Sequence, residues 1–156
     1  MHNAARRVML TAMDACELCE TPGGEVLWQD GLCRVVRVGG AEGDAYPGYC
    51  RVVWNAHVAE MTNLPGADRR HLMNVVFATE AALRALLRPD KINLASLGNL
   101  VPHVHWHVIP RRRDDSHFPA PIWAGAKRPA PPRPSPGNAD LAAAIAELLS
   151  EEVSGA

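Results

Sequence analysis

The sequence has no surplus of either charge: 16 basic against 17 acidic side chains leave a formal net charge of −1. That argues against a general nucleic-acid or membrane-surface binder, which carries a basic excess. It leaves room for a small phosphorylated ligand held in a local pocket. No apolar run approaches the roughly 18 residues of a membrane span. At the start, Arg6 and Arg7 precede a short apolar stretch that Asp14 interrupts. No small-residue cleavage pattern follows, so no secretory signal is expected and the expected location is the cytoplasm. Cysteine is scarce, at four residues: Cys16, Cys19, Cys33 and Cys50. In a reducing compartment these do not make a disulfide framework. There is also no internal repeat.

What is present suffices for one compact domain. The chain has 156 residues, 47% apolar and 21% charged, the composition of an ordinary globular protein with a real core. "GEVLWQDG", "LCRVVRV" and "YCRVVWN" are β-branched and aromatic segments of strand length, separated by turn residues. They predict an antiparallel meander, with "GGAEGDAYPG" as a Gly-rich connection. In "ADRRHLMNVVFATEAALRALLRPDK" the period changes: Leu72, Val75, Val76, Thr79, Leu83, Leu86 and Leu87 mark one buried face of a helix. Pro65-Gly66 precedes it and Pro89 stops it. "INLASLG" and "NLVPHVHWHVI" predict two further strands joined near Gly98. "RRRDD" (residues 111–115) reads as a solvated charged loop and "FPAPIWAGAKRPAPPRPSPGN" as extended or irregular chain. "NADLAAAIAELLSEEV" predicts a closing helix capped by Asn138 or Asp140. The expected fold class is α+β: about five antiparallel strands, one long helix packed on them, and a C-terminal helix. Residues 1–156 are read as a single domain, in which about 119–156 form the Pro-rich tail and closing helix.

The strand signal at residues 101–109 carries the chemistry. Side chains at i, i+2 and i+4 of a strand share a face. Val101, His103, His105, His107 and Ile109 therefore point one way, and Pro102, Val104, Trp106 and Val108 pack under the helix. One histidine on a strand is an ordinary half-buried polar residue. Three on one face need several hydrogen-bond partners and suggest a site. The pattern leaves two functions open. The imidazoles can ligate zinc, although neighbours along one strand converge poorly and at most two would share a metal. Alternatively, one imidazole is a nucleophile that the others position.

"HVHWHVI" resembles the signature of the histidine triad superfamily, in which histidines alternate with hydrophobic residues. "KINLASLGNLVPHVHWHVIPR" is similar to that family's turn and strand, and "RVVWNAHVAEMTNL" to its preceding strand and helix. The resemblance spans about residues 14–118. It implies a nucleotidyl hydrolase or transferase acting on the α-phosphate of a nucleoside phosphoramidate or dinucleoside polyphosphate, through a nucleotidyl-histidine intermediate. It places the nucleophile at His105 and a phosphate- and leaving-group partner at His107, with phosphate-binding positions at Asn93, Gly98 and Asn99. It implies a nucleotide-type substrate, no organic cofactor and a homodimer. Some members hold a structural zinc, and the matching ligands are Cys16, Cys19, His57 and His103; without metal, His103 would hold His105 by a hydrogen-bond relay. The chain departs from the family in a shorter turn before His103, in Leu100 where some members have serine, and in lacking an aligned acidic ribose contact. Asp44 lies near that last position. These departures keep a second reading in view: a zinc-stabilised nucleotide-binding or regulatory module with little or no turnover. A third is a hydrolase whose histidines bind the metal directly.

Other residues carry weaker expectations. Cys33 and Cys50 read as small core residues. His71 is expected on the exposed side of the helix, and His2 and His117 show no pattern. Trp123 could fold over the site as an aromatic contact for a base, or the tail could pack on its own domain or on a partner subunit.

Overall fold

The computed structural model describes residues 15–154; the reading of the N-terminal stretch and His2 falls outside them. Five antiparallel strands form one sheet in the order β1-β2-β3-β5-β4. They are β1 (Glu25–Gln29), β2 (Cys33–Arg37), β3 (Cys50–Trp54), β4 (Lys91–Ala95) and β5 (His105–Arg111). Asp30 sets the β1–β2 turn: its carboxylate accepts from the backbone N–H groups of Leu32 and Cys33, both at 2.8 Å, an Asx-type turn. The long helix α3 (Gly66–Leu87) lies on one face, and α4 (Asn138–Ser154) packs against α3 and β1.

Alternation divides the sheet into two faces. Cys33, Val35, Cys50, Val52, Trp54, Ile92, Val104 and Val108 form the core with Leu72, Val75, Val76 and Leu83 of α3 and Leu141 and Ile145 of α4. Each fully buried branched side chain there contributes roughly 1.5–3 kcal/mol. Thr79 is buried in that row because its hydroxyl donates to the Val75 carbonyl at 2.8 Å. In the last turn of α3 Leu86 is exposed, while Leu87 packs partly buried against the core. Arg88 ends the helix in the left-handed conformation at φ 47°, ahead of Pro89. His71 is less free than expected: its Nε2 lies 2.7 Å from an Asp30 carboxylate oxygen.

Four segments differ from the sequence reading. "ELCE" is a short helix, α1 (Glu17–Glu20). The Gly-rich connection contains helix α2 (Gly40–Ala45). Its glycines hid it, and one is required: a Cβ on Gly43 would lie 2.1 Å from the Val38 carbonyl oxygen. The fifth strand begins at His105, not near Asn99, because the chain first makes a tight turn in which the His103 N–H donates to the Val101 carbonyl at 2.8 Å. α4 includes Asn138 as its first residue instead of starting after it, and the Asn138 side-chain oxygen accepts from Arg37 at 2.5 Å.

Candidate active site

The second face of the sheet is polar. His105 and His107 of β5 lie opposite Val53 and Arg51 of β3, and His107 and Ile109 lie opposite Ala95 and Asn93 of β4. Opposed residues share a face, so Arg51, His105 and His107 project together. A cavity of about 500 Å³ opens over them, with Gly98, Asn99 and Trp123 also in its wall. Gly98 adopts φ +71°, a conformation that favours glycine. Leu100 also lines the cavity and is almost fully exposed at 97%. Asp44 is not part of this wall; Glu42 of α2 is.

Hydrogen bonds assign the imidazole protons. The Nδ1 of His105 lies 2.6 Å from the His103 carbonyl oxygen. A carbonyl can only accept, so Nδ1 carries the proton and Nε2 keeps the lone pair. The Nδ1 of His107 lies 2.6 Å from the Tyr49 hydroxyl. Burial pushes that phenol up to about 12, so it stays protonated and can donate to Nδ1, the arrangement that leaves Nε2–H on His107. Burial, reinforced by His105 and Arg51, pushes His107 down to about 3. It is therefore a neutral donor near neutral pH. The rings of His105 and His107 meet edge to face at 4.9 Å.

His103 faces another group. Its Nε2 donates to the Trp54 carbonyl at 2.6 Å, which leaves Nδ1 unprotonated and 3.4 Å from Cys16 Sγ and 3.5 Å from Cys19 Sγ. Cys19 Sγ is also 3.4 Å from His57 Nδ1. These four ligand atoms lie within 4.8 Å of one another. Tetrahedral zinc, with Zn–S about 2.3 Å and Zn–N about 2.0–2.1 Å, separates its sulfur and nitrogen ligands by about 3.5 Å. The spacings match, and the Trp54 carbonyl orients His103 as an outer partner orients a metal-bound imidazole. The residues fit a structural zinc. His105 and His107 are not among the clustered ligands.

Asn93 is not brought into the cavity wall with His105 and His107. It lies in β4 with its side-chain oxygen 2.7 Å from Arg111 Nη1. Arg111 itself corrects the solvated-loop reading. It is 1% exposed, paired with Asp115 at 2.7 Å, and donates to the Ala120 carbonyl at 2.9 Å. The tail it pins brings Trp123 to 5.0 Å from the His107 ring, inclined at 69°, with 45% of the tryptophan still exposed. These tail contacts are made with the chain's own domain.

The sequence reading did not identify Tyr49, Arg51 or Glu42, and it placed Arg111 in a solvated loop. Two signals were available. In "YCRVV", Tyr49, Arg51 and Val53 alternate, and the odd-numbered face of β5 extends past Ile109 to Arg111.

The family model for the HIT domain matches residues 23–114. A histidine triad protein from Sinorhizobium meliloti is 30% identical, over 81% of this chain and 90% of its own, with a TM-score of 0.63. One from Marinobacter aquaeolei is 27% identical, over 83% and 91%, also at 0.63. A zinc-bound histidine triad family protein from Mycobacterium smegmatis shares the fold at 19% identity, over 91% and 98%, with a TM-score of 0.55. No curated protein gives a significant match. The chain belongs to the HIT family of nucleotide-binding hydrolases and transferases.

Proposed function

We propose that the protein is a nucleotidyl hydrolase that cleaves a nucleoside phosphoramidate or dinucleoside polyphosphate at the α-phosphate, with His105 as the nucleophile. The observation that carries this reading is the 2.6 Å bond from His105 Nδ1 to the His103 carbonyl, which leaves a neutral Nε2 lone pair over the cavity. Nε2 attacks the α-phosphorus, the bond to the leaving nitrogen or oxygen breaks, and the nucleotide is held on His105. Water then attacks the same phosphorus, His105 departs, and the free nucleotide forms. His107 donates its Nε2–H to the phosphate and leaving group as charge develops. Gly98 allows close backbone approach, and Asn99 adds a polar contact in the same wall. Asn93, held by Arg111, supports the wall from β4. The exposed face of Trp123 offers a stacking surface to a base.

Cys16, Cys19, His57 and His103 would hold a structural zinc, whose chemistry is confined to fixing three chain segments. His103 then serves twice, with its ring in the metal cluster and its carbonyl on His105. A metal-centred hydrolysis is disfavoured because His105 and His107 stand outside the cluster. A homodimer remains part of the proposal, to be read from light scattering.

The test is turnover of adenosine phosphoramidate and diadenosine polyphosphate by the protein and by His105→Ala. Turnover is expected to fall at least a thousandfold, to near background, in the variant. Unchanged turnover would refute the nucleophile. Nucleotide binding without turnover in the wild type would identify a binding module instead.

A further inference from the structure

The cavity over the histidines contains a residue that the scheme above leaves unused. Arg51 stands directly across from His107 in the β3–β5 register. Its guanidinium lies over the Tyr49 ring, 5.8 Å from the centroid, beside the phenol that holds His107. It is the one Arg or Lys among the described residues lining this cavity; Glu17 and Glu42 line it as well.

Its bonding is incomplete. Arg51 Nη2 reaches Glu42 Oε2 at 3.4 Å, and the two side chains are 24% and 42% exposed. Such a long, partly solvated pair is weak. Arg51 Nε is buried without a hydrogen-bond partner, and it is the one such side-chain atom among the described residues. A guanidinium has five N–H donors in a planar fork suited to phosphate oxygens. A buried donor left unmet is destabilising, and the protein's own groups do not satisfy this guanidinium.

We infer that Arg51 is the cation that binds the substrate phosphate beside His107, and that Glu42 is its resting partner, displaced when the phosphate enters. The inference deepens the proposed function and rests on its placement of the phosphate. Neutral His107 can give the phosphate a hydrogen bond but no positive charge. Two rim carboxylates repel it. Arg51 supplies the missing charge on the β3 side, with the Gly98–Asn99 turn on the β4 side. The site thereby selects a phosphorylated nucleoside over the bare nucleoside.

Titration calorimetry with AMP and adenosine tests this, using the wild type, Arg51→Gln, Arg51→Lys and Glu42→Gln. Arg51→Gln is expected to weaken AMP binding at least tenfold and leave adenosine binding within about twofold. Arg51→Lys should recover part of the loss. Glu42→Gln should tighten AMP binding severalfold by freeing the guanidinium. In turnover, Arg51→Gln should lower kcat/KM roughly a hundredfold. Equal AMP affinity in wild type and Arg51→Gln would overturn the inference, as would equal weakening of AMP and adenosine, which marks a structural role. Should Arg51→Gln not fold, Glu42→Gln decides, since its side chain is partly exposed: unchanged AMP affinity overturns the inference. If the wild type turns over no conjugate yet AMP binding depends on Arg51, the hydrolase reading fails and this one stands. If turnover depends on His105 but neither it nor AMP binding on Arg51, the reverse holds.

Discussion

Each triad imidazole has one ring nitrogen committed to a fixed partner and the other free for a task. His103 is fixed by the Trp54 carbonyl, His105 by the His103 carbonyl and His107 by Tyr49. Alternation along β5 was legible in the sequence, so the shared face of His105 and His107 was too. The protons were not, because two of the three partners lie 49 and 58 residues away and become neighbours only when β3 pairs with β5. Tyr49→Phe keeps the ring and removes the donor, so His107 can populate either tautomer. The expected result is a fall in kcat of about tenfold with KM little changed, since one charge-assisted hydrogen bond is lost in the transition state. Imidazole ¹⁵N shifts should show His107 changing from a single Nε2–H tautomer to a mixture. An unchanged kcat and spectrum would rule out this role.

At the scale of elements, the corner after β5 shows how composition misleads. "RRRDD" looks like a solvated run because three positive and two negative side chains sit together in five residues. Only Arg111 continues the buried face of β5, and it takes Asp115 inside with it. The Asp115 carboxylate accepts from Arg111 and from the backbone N–H groups of Arg112, His117 and Phe118 at 2.7–3.2 Å. Burial alone would raise its pKa, but these bonds and the Arg111 charge outweigh it and hold the group at about 2, against its usual 3.8. A folded pKa below the unfolded one stabilises the fold in full above about pH 4. That stability drains away as pH falls from 3.8 towards 2. The difference corresponds to roughly 2 kcal/mol. Urea unfolding at a series of pH values should show this loss in the wild type. Asp115→Asn should remove that part of the acid slope and be less stable at pH 7 by about 3 kcal/mol, because Arg111 is left buried and unpaired. Trp123 fluorescence should report the same transition, since the corner carries its segment to His107. An unaltered acid slope in Asp115→Asn would show that other carboxylates govern it.

At the scale of the whole molecule, the Cys/His cluster joins segments that the core holds separately. Cys16 and Cys19 flank and occupy α1, His57 follows β3, and His103 precedes β5. The family resemblance named this set in the sequence; the C-x-x-C spacing alone offers only half a site. The set's consequence for the neighbouring site could not be read, since that runs through the His103 carbonyl. The main core lies on the opposite face of the sheet, so the fold should survive metal loss while this corner loosens. Metal analysis of protein purified without chelator should give about one zinc per chain. Removing it should lower the melting temperature by roughly 10 °C, corresponding to about 3 kcal/mol for a domain of this size, and leave the far-ultraviolet circular dichroism largely intact. Turnover should fall with the metal and return with added zinc, because a displaced His103 carbonyl no longer holds His105 Nδ1. Cys19→Ser should reproduce the lower stability with weaker zinc retention. A chelated protein with the same melting temperature and activity would mean that the cluster is held by thiol–imidazole hydrogen bonds and needs no metal.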